Sequence, residues 1–161
     1  MFEEMAMGTV TLKMYNGKEV FKIKDALIIA NQRDSGISIW MEYSTEDEPI
    51  LRDTELLDSQ GCPNADITFK INNIKELSKC KIRIPLSYDE ELSDYVSRFY
   101  YYEHNDIDKN IIEIRHKSKN VYNVKWTGLT DDVNFYDGSK PRTRVVVDGE
   151  FILQDYEKWF F

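Results

Sequence analysis

The chain of 161 residues is poor in the residue types that most often announce a reaction: two cysteines, two histidines, seven glycines and four prolines. Cys62 and Cys80 stand in no C-x-x-C spacing and are too few for a disulfide framework, so both are expected to be reduced. Lys79 and Lys81 flank Cys80 and favour a thiolate, yet a buried structural thiol is the plainer reading. The glycines are scattered among turn-like stretches and form no phosphate cradle, and no serine or cysteine sits in a G-x-S-x-G setting.

Long apolar runs are missing as well. Nowhere do 18 consecutive apolar residues occur, which excludes a conventional membrane-spanning helix. The start, Met1-Phe2-Glu3-Glu4-Met5, is acidic where a secretory signal carries positive charge, so the expected compartment is the cytoplasm. Positive charge is short too: the formal net charge is −8. The deficit is concentrated, because residues 1–66 hold 13 acids against 6 bases, a net of −7, whereas residues 67–161 hold 16 against 15. A surface of that sign repels phosphate backbones and attracts basic surfaces, so nucleic acid is not an expected partner.

What is present is foldable material. Hydrophobic residues make up 42% and aromatics 13%, too much for a disordered chain, and the length suits one core. TVTLKMY and KEVFKI flank Asn16-Gly17, a type I′ hairpin signal. ALIIANQ and ISIWMEYS flank Arg33 to Gly36 as a second hairpin, and strands are expected at Ile67–Ile71 and Lys81–Leu86, with one helical turn near Ile74–Ser78 between them. Alternation of Ile112, Ile114 and His116 with charged residues, a turn at Lys117–Asn120, and Tyr122, Val124 and Trp126 make a third hairpin. TRVVV and EFILQ, joined by Asp148-Gly149, read as a fourth, and the aromatic end from Tyr156 to Phe161 is expected to dock on the body.

One helix is expected, over about residues 88–103. Ser87 and Glu90 have capping-box spacing, and Leu92, Tyr95, Val96, Phe99 and Tyr102 recur at helical offsets as an apolar stripe, with Asp94 and Arg98 paired on the outer side. The fold class is then α+β: a single domain, mainly antiparallel sheet built from hairpins, with that helix packed on a sheet face.

Functional candidates come from charge and rings. The stretch WTGLTDDVNFYDGSKP, residues 126–141, fails the calcium-loop template, since Tyr136, Asp137 and Thr143 stand where an oxygen ligand, glycine and glutamate are required. Aspartate and glycine also serve turns. Loops on a rigid sheet carry partner contacts, however, and Trp126, Phe135 and Tyr136 are residue types enriched at such contacts. The expected partner-binding residues are therefore Glu46, Asp47, Glu48 and Asp53 in the acidic stretch, with Trp126, Asp131, Asp132, Phe135 and Tyr136 in the loop; no catalytic residue, metal ligand or cofactor is expected. The function these support is a non-catalytic, acidic protein-binding module facing a basic partner, in the manner of small immunity proteins that cover the basic cleft of a toxin. The alternative is a metal- or carbohydrate-binding domain using the acidic loop after Trp126, with His104 nearby in sequence.

Overall fold

The structure, a computed structural model, describes residues 8–53, 62–101, 103–133 and 138–160. It is mainly antiparallel sheet with one short α-helix among the described residues. The strands are β1 (Gly8–Met14), β2 (Gly17–Arg33), β3 (Gly36–Thr45), β4 (Leu51–Asp53) and β5 (Asn64–Ile71). A 3-10 turn at Ile74–Ser78 leads to β6 (Lys79–Ile84), then β7 (Tyr88–Asp89), β8 (Asp94–Tyr95), β9 (Ser97–Tyr101), β10 (Glu103–Asn105), β11 (Asp108–Ser118), β12 (Val121–Thr130) and β13 (Thr143–Leu153). Helix α1 (Tyr156–Phe160) ends the described chain.

Eleven strands form one sheet in the order β10-β9-β5-β3-β2-β1-β13-β12-β11-β6, with β4 beside β2, while β7 and β8 pair only with each other. All pairings are antiparallel except the last residues of β13, which run parallel to β2 at Leu27 and Ile28. The 17-residue β2 makes this possible: its first third pairs with β1, a register shift falls between Ile23 and Asp25, and the remainder pairs with β3. Such an irregularity bends a strand and lets it serve two parts of a sheet. Side chains from far-apart strands consequently meet. Tyr43 of β3 packs edge-on against Trp126 of β12 with ring centroids 5.6 Å apart. Asn110 of β11 bonds to Ser97 of β9, though these strands lie near opposite ends of the order. The sheet is thus curled around one core, with Ile39, Met41 and Tyr43 from β3 facing Tyr122, Val124 and Trp126 from β12. Alternation along both strands puts these residues inside, and each full burial contributes roughly 1.5 to 3 kcal/mol.

The turn between β1 and β2 is Tyr15-Asn16, one residue earlier than Asn16-Gly17, and Gly17 with φ +143° begins the return strand. Arg33–Gly36 and Ile74–Ser78 appear as expected, and Tyr156, Trp159 and Phe160 of the aromatic end pack against the core, while Phe161 lies outside the described residues. Asp148-Gly149 is not a hairpin turn: β13 runs through it, paired with β12 on one side and β1 on the other. The glycine serves close approach instead. A Cβ on Gly8, whose φ is +114°, would lie 2.4 Å from the Gly149 Cα, so two facing glycines let the backbones meet.

The larger correction concerns the helix expected over 88–103. Residues 88–101 and 103 are not helical; they form the small β7-β8 hairpin, then β9 and the start of β10, and Tyr102 of the expected stripe lies outside the described residues. In β9, Ser97, Phe99 and Tyr101 are buried while Arg98 is exposed, a period of two that the helical count through Leu92, Tyr95, Val96 and Phe99 obscured. The sheet needed another strand beside β5, and tertiary pairing prevailed over local spacing.

Candidate functional site

The segment between β6 and β9 leaves the sheet as an arm. Its root is fixed by a buried polar network. The Lys109 N–H donates to the Pro85 carbonyl at 2.9 Å, the Ser87 N–H to Asp108 Oδ1 at 2.8 Å, and the Val96 N–H returns to the Ser87 carbonyl at 2.8 Å. Ser87 Oγ donates to the Ser97 carbonyl, and Ser97 Oγ to that of Ile107. Asn110 Nδ2 donates to the same Ile107 carbonyl at 2.9 Å, while its Oδ1 accepts from Trp126 Nε1 at 2.8 Å. Ser87, Ser97, Asn110 and Trp126 are all buried, and every bond in such a network rigidifies what it holds.

Beyond the root the arm is built to be seen. Asp89 Oδ1 accepts from the N–H groups of Glu91 and Leu92, folding the tip, and Tyr88 meets Tyr95 edge-on across the hairpin at 5.1 Å. Leu86, Tyr88, Leu92 and Tyr95 are 66, 43, 58 and 46% exposed, so four large apolar side chains face solvent within ten residues. Those same ten residues carry Asp89, Glu90, Glu91 and Asp94 and no base. Arg98 approaches from β9, its guanidinium 6.0 Å from the Tyr95 ring and 3.6 Å from Asp94. The pair expected between Asp94 and Arg98 exists, therefore, without the helix expected to support it.

A hollow of about 830 Å³ lies between the arm and the start of β11, lined by Leu86, Tyr88, Glu90, Asp106 and Asp108 among others. Asp108 there holds Arg142, with Nη2 3.0 Å from its Oδ2, and Arg142 Nε lies 4.0 Å from Asp131. Burial, and then the like charges of Asp108 and Asp131, push the Asp106 carboxyl above its ordinary value, with Arg142 opposing. Two carboxylates thus share one guanidinium beside the arm, with Asp106 within its electrostatic reach.

The residues expected to contact a partner fall into separate groups. Glu46, Asp47 and Glu48 are exposed at the bend after β3, next to exposed Ile50 and Leu51, and Asp53 ends β4 opposite Lys18. Asp131 is exposed beside Arg142. Trp126 and Asp132 are buried, which corrects their assignment as contact residues: the indole ties Asn110 into the arm's root and packs on Tyr43. Phe135 and Tyr136, with Asp137, lie outside the described residues. Gly128 in β12 also serves packing, since Ile107 side-chain atoms sit 2.7 Å from where its Cβ would be.

Sequence reasoning passed over the buried polar residues. Glu19 is fully buried on β2, accepting from Tyr101 Oη at 2.8 Å and from Arg52 Nε at 2.5 Å. Its signal was parity: it shares the inward side with Phe21 and Ile23. Ser97 shares a side with Phe99 and Tyr101, and Asn110 with Ile112 and Ile114, in the same way.

Burial, with Glu76 adding to it, pushes the Cys80 thiol up to about 11, so at neutral pH it is protonated and a poor nucleophile. The His104 ring meets that of Tyr100 at a tilt, while His116 on β11 meets Tyr122 and the Lys119 carbonyl, so the two imidazoles belong to different neighbourhoods. Among the described residues no three His, Cys, Asp or Glu side chains are grouped to hold a metal ion, and no helix is long and apolar enough to cross a membrane. Compared with known protein families, with curated proteins and with solved structures, the chain matches none of them.

Proposed function

We propose that the chain is a non-catalytic protein-binding module whose acidic, apolar-tipped arm at residues 86–95 docks on a basic protein surface. One observation carries the reading: four exposed large apolar side chains and four carboxylates share ten residues without a base, on a hairpin anchored through buried Ser87. Apolar anchors with a charged surround are the anatomy of an interface, and charge of one sign steers an opposite partner and fixes its register. The exposed acids Glu46, Asp47 and Glu48 beside Ile50 and Leu51 repeat that chemistry on the β3-β4 bend. The specific form proposed is a cytoplasmic immunity-type protein that covers the basic cleft of a toxin or effector.

The test is capture of host proteins on the immobilised chain, at low and high salt, with the wild type and with an Asp89→Lys/Glu91→Lys/Leu92→Asp variant. A basic partner retained by the wild type, released by salt and lost by the variant is the expected result. Capture indifferent to both salt and variant, or no stable partner, removes the reading.

A further inference from the structure

The opposite sign is gathered elsewhere on the molecule, on the outer face of the half-sheet made by the start of β2, β1, β13, β12, β11 and β6. Cross-strand register defines its rows. One runs Lys22, Thr9, Asp148, Lys125, Glu113, Lys81. A second runs Glu150, Asn123, Arg115, Lys79. A third carries Val20, Thr11, Val146, Thr127 and Ile111 as far as Arg83, and a fourth begins with Lys18, Lys13 and Arg144. All these positions alternate with core residues, so they point outward together. The positions named hold nine cations and three carboxylates, an excess of six positive charges on a chain whose net charge is −8, and Asp53 of β4 borders them opposite Lys18. At its centre is a hollow of about 590 Å³ lined by Lys79, Lys81, Arg115 and Lys125, with Glu113 and Asp148 between them.

We propose that this face is a second docking surface, independent of the arm, and that its occupant is an acidic, extended segment of a partner polypeptide. Charge complementarity selects the sign. The details select polypeptide over nucleic acid. None of the outward residues in these rows is aromatic, so the rings on which single-stranded bases stack are missing. Glu113, 3.6 Å from Lys81, and Asp148 interrupt the cations where an unbroken phosphate backbone would have to pass. The half-buried row of Val20, Val146 and Ile111 offers apolar contact that a side chain can use and a phosphate cannot. Six strands spaced about 4.8 Å apart span roughly 24 Å, the reach of an extended segment of about seven residues. The chain then joins two partners of opposite charge, one on each surface.

Fluorescein-labelled poly-L-glutamate, a short duplex DNA and phosphatidylserine vesicles, each titrated with the full chain, test this. Poly-L-glutamate is expected to bind at low salt and to be released as salt rises. The Lys81→Glu/Arg115→Glu/Lys125→Glu variant is expected to weaken it about tenfold or more. Lys81→Gln/Lys125→Gln, milder in charge, gives the same direction if the triple variant unfolds. The arm variant Asp89→Lys/Glu91→Lys does not weaken poly-L-glutamate binding, which separates a failure here from a failure of the arm. Undiminished binding by both face variants, tighter binding of duplex or vesicles, or a doubling of mass in the unliganded chain that the face variants abolish, which would make a second copy the occupant, overturns the proposal.

Discussion

Trp126 and Tyr95 have exchanged the places their sequence contexts imply. Trp126 opens a loop-like stretch of aspartate, asparagine and glycine, yet it is buried, ring against Tyr43 and indole N–H on Asn110. Tyr95 sits within an apolar stripe at helical spacing, yet it is nearly half exposed on the arm. The difference lies in what each neighbourhood must satisfy. Trp126 belongs to a strand paired on both sides, so its inward position is dictated by β11 and β13. Tyr95 belongs to a hairpin paired only with itself, so its ring meets Tyr88 across the hairpin and the Arg98 guanidinium but is covered by no further strand among the described residues. Ring content alone does not say which aromatic is exposed; the number of neighbouring strands does.

The strongest way to break this contrast is truncation on both sides of it. Trp126→Ala removes a buried indole and strands the Asn110 amide, and roughly 3 to 5 kcal/mol of stability is expected to be lost in a urea melt. Leu92→Ala with Tyr95→Ala is expected to change stability by about 0.5 kcal/mol or less each while abolishing capture of the partner. A large loss of stability in the arm variants would return Leu92 and Tyr95 to the core.

A second contrast sets the two arginine clusters against each other. Arg52 faces Glu19, a fully buried carboxylate, whereas Arg142 faces the partly exposed Asp108 and the exposed Asp131. Arg52→Ala removes one of the two described partners of Glu19 and keeps Tyr101, and a loss of roughly 3 kcal/mol is expected. Arg142→Ala is expected to cost about 1 kcal/mol or less, because solvent already screens that pair. Equal losses from the two variants would show that burial does not distinguish them.

Most of the sheet was legible because one side of each hairpin is wet. Alternation in β3, β11 and β12 placed the strands, while in β6 it was carried two residues too far, to the exposed Leu86; polar residues placed the turn at Arg33–Gly36, but the second turn is Lys119-Asn120, since Lys117 and Ser118 still belong to β11. The failures share a cause. Asp148-Gly149 has turn chemistry but is held straight by pairing on both edges, and residues 88–101 have helical spacing but supply a strand that β5 requires. Both outcomes depend on long-range neighbours that no local window contains. The acidic bias was visible in the sequence, whereas the basic face was not: its cations come from six strands spread between Lys13 and Arg144, and only the register assembles them.

The root of the arm offers a finer test. Ser87 Oγ donates to the Ser97 carbonyl within the core, so Ser87→Ala leaves that acceptor without its hydroxyl partner. A loss of about 1 to 3 kcal/mol is expected. If the network positions the arm, the same variant is cleaved faster between residues 88 and 95 in limited proteolysis, with cleavage elsewhere unchanged. Uniform acceleration at all sites would mean that Ser87 supports the core alone.

The smallest expected effect concerns Asp106. Burial and the charges of Asp108 and Asp131 raise its carboxyl in the folded chain, so the folded state prefers the protonated form more than the unfolded state does. A raised carboxyl is a penalty at neutral pH, where it is ionised in both states, and the penalty fades as pH falls through the raised folded value toward the ordinary one. Asp106→Asn removes the charge without changing the shape. The difference in Tm between variant and wild type is therefore expected to be positive at pH 7 and to vanish in acid, once the carboxyl is protonated folded and unfolded alike. A difference that does not change with pH would assign the effect to a hydrogen bond, and a negative one at pH 7 would mean that Arg142 outweighs the two aspartates beside it.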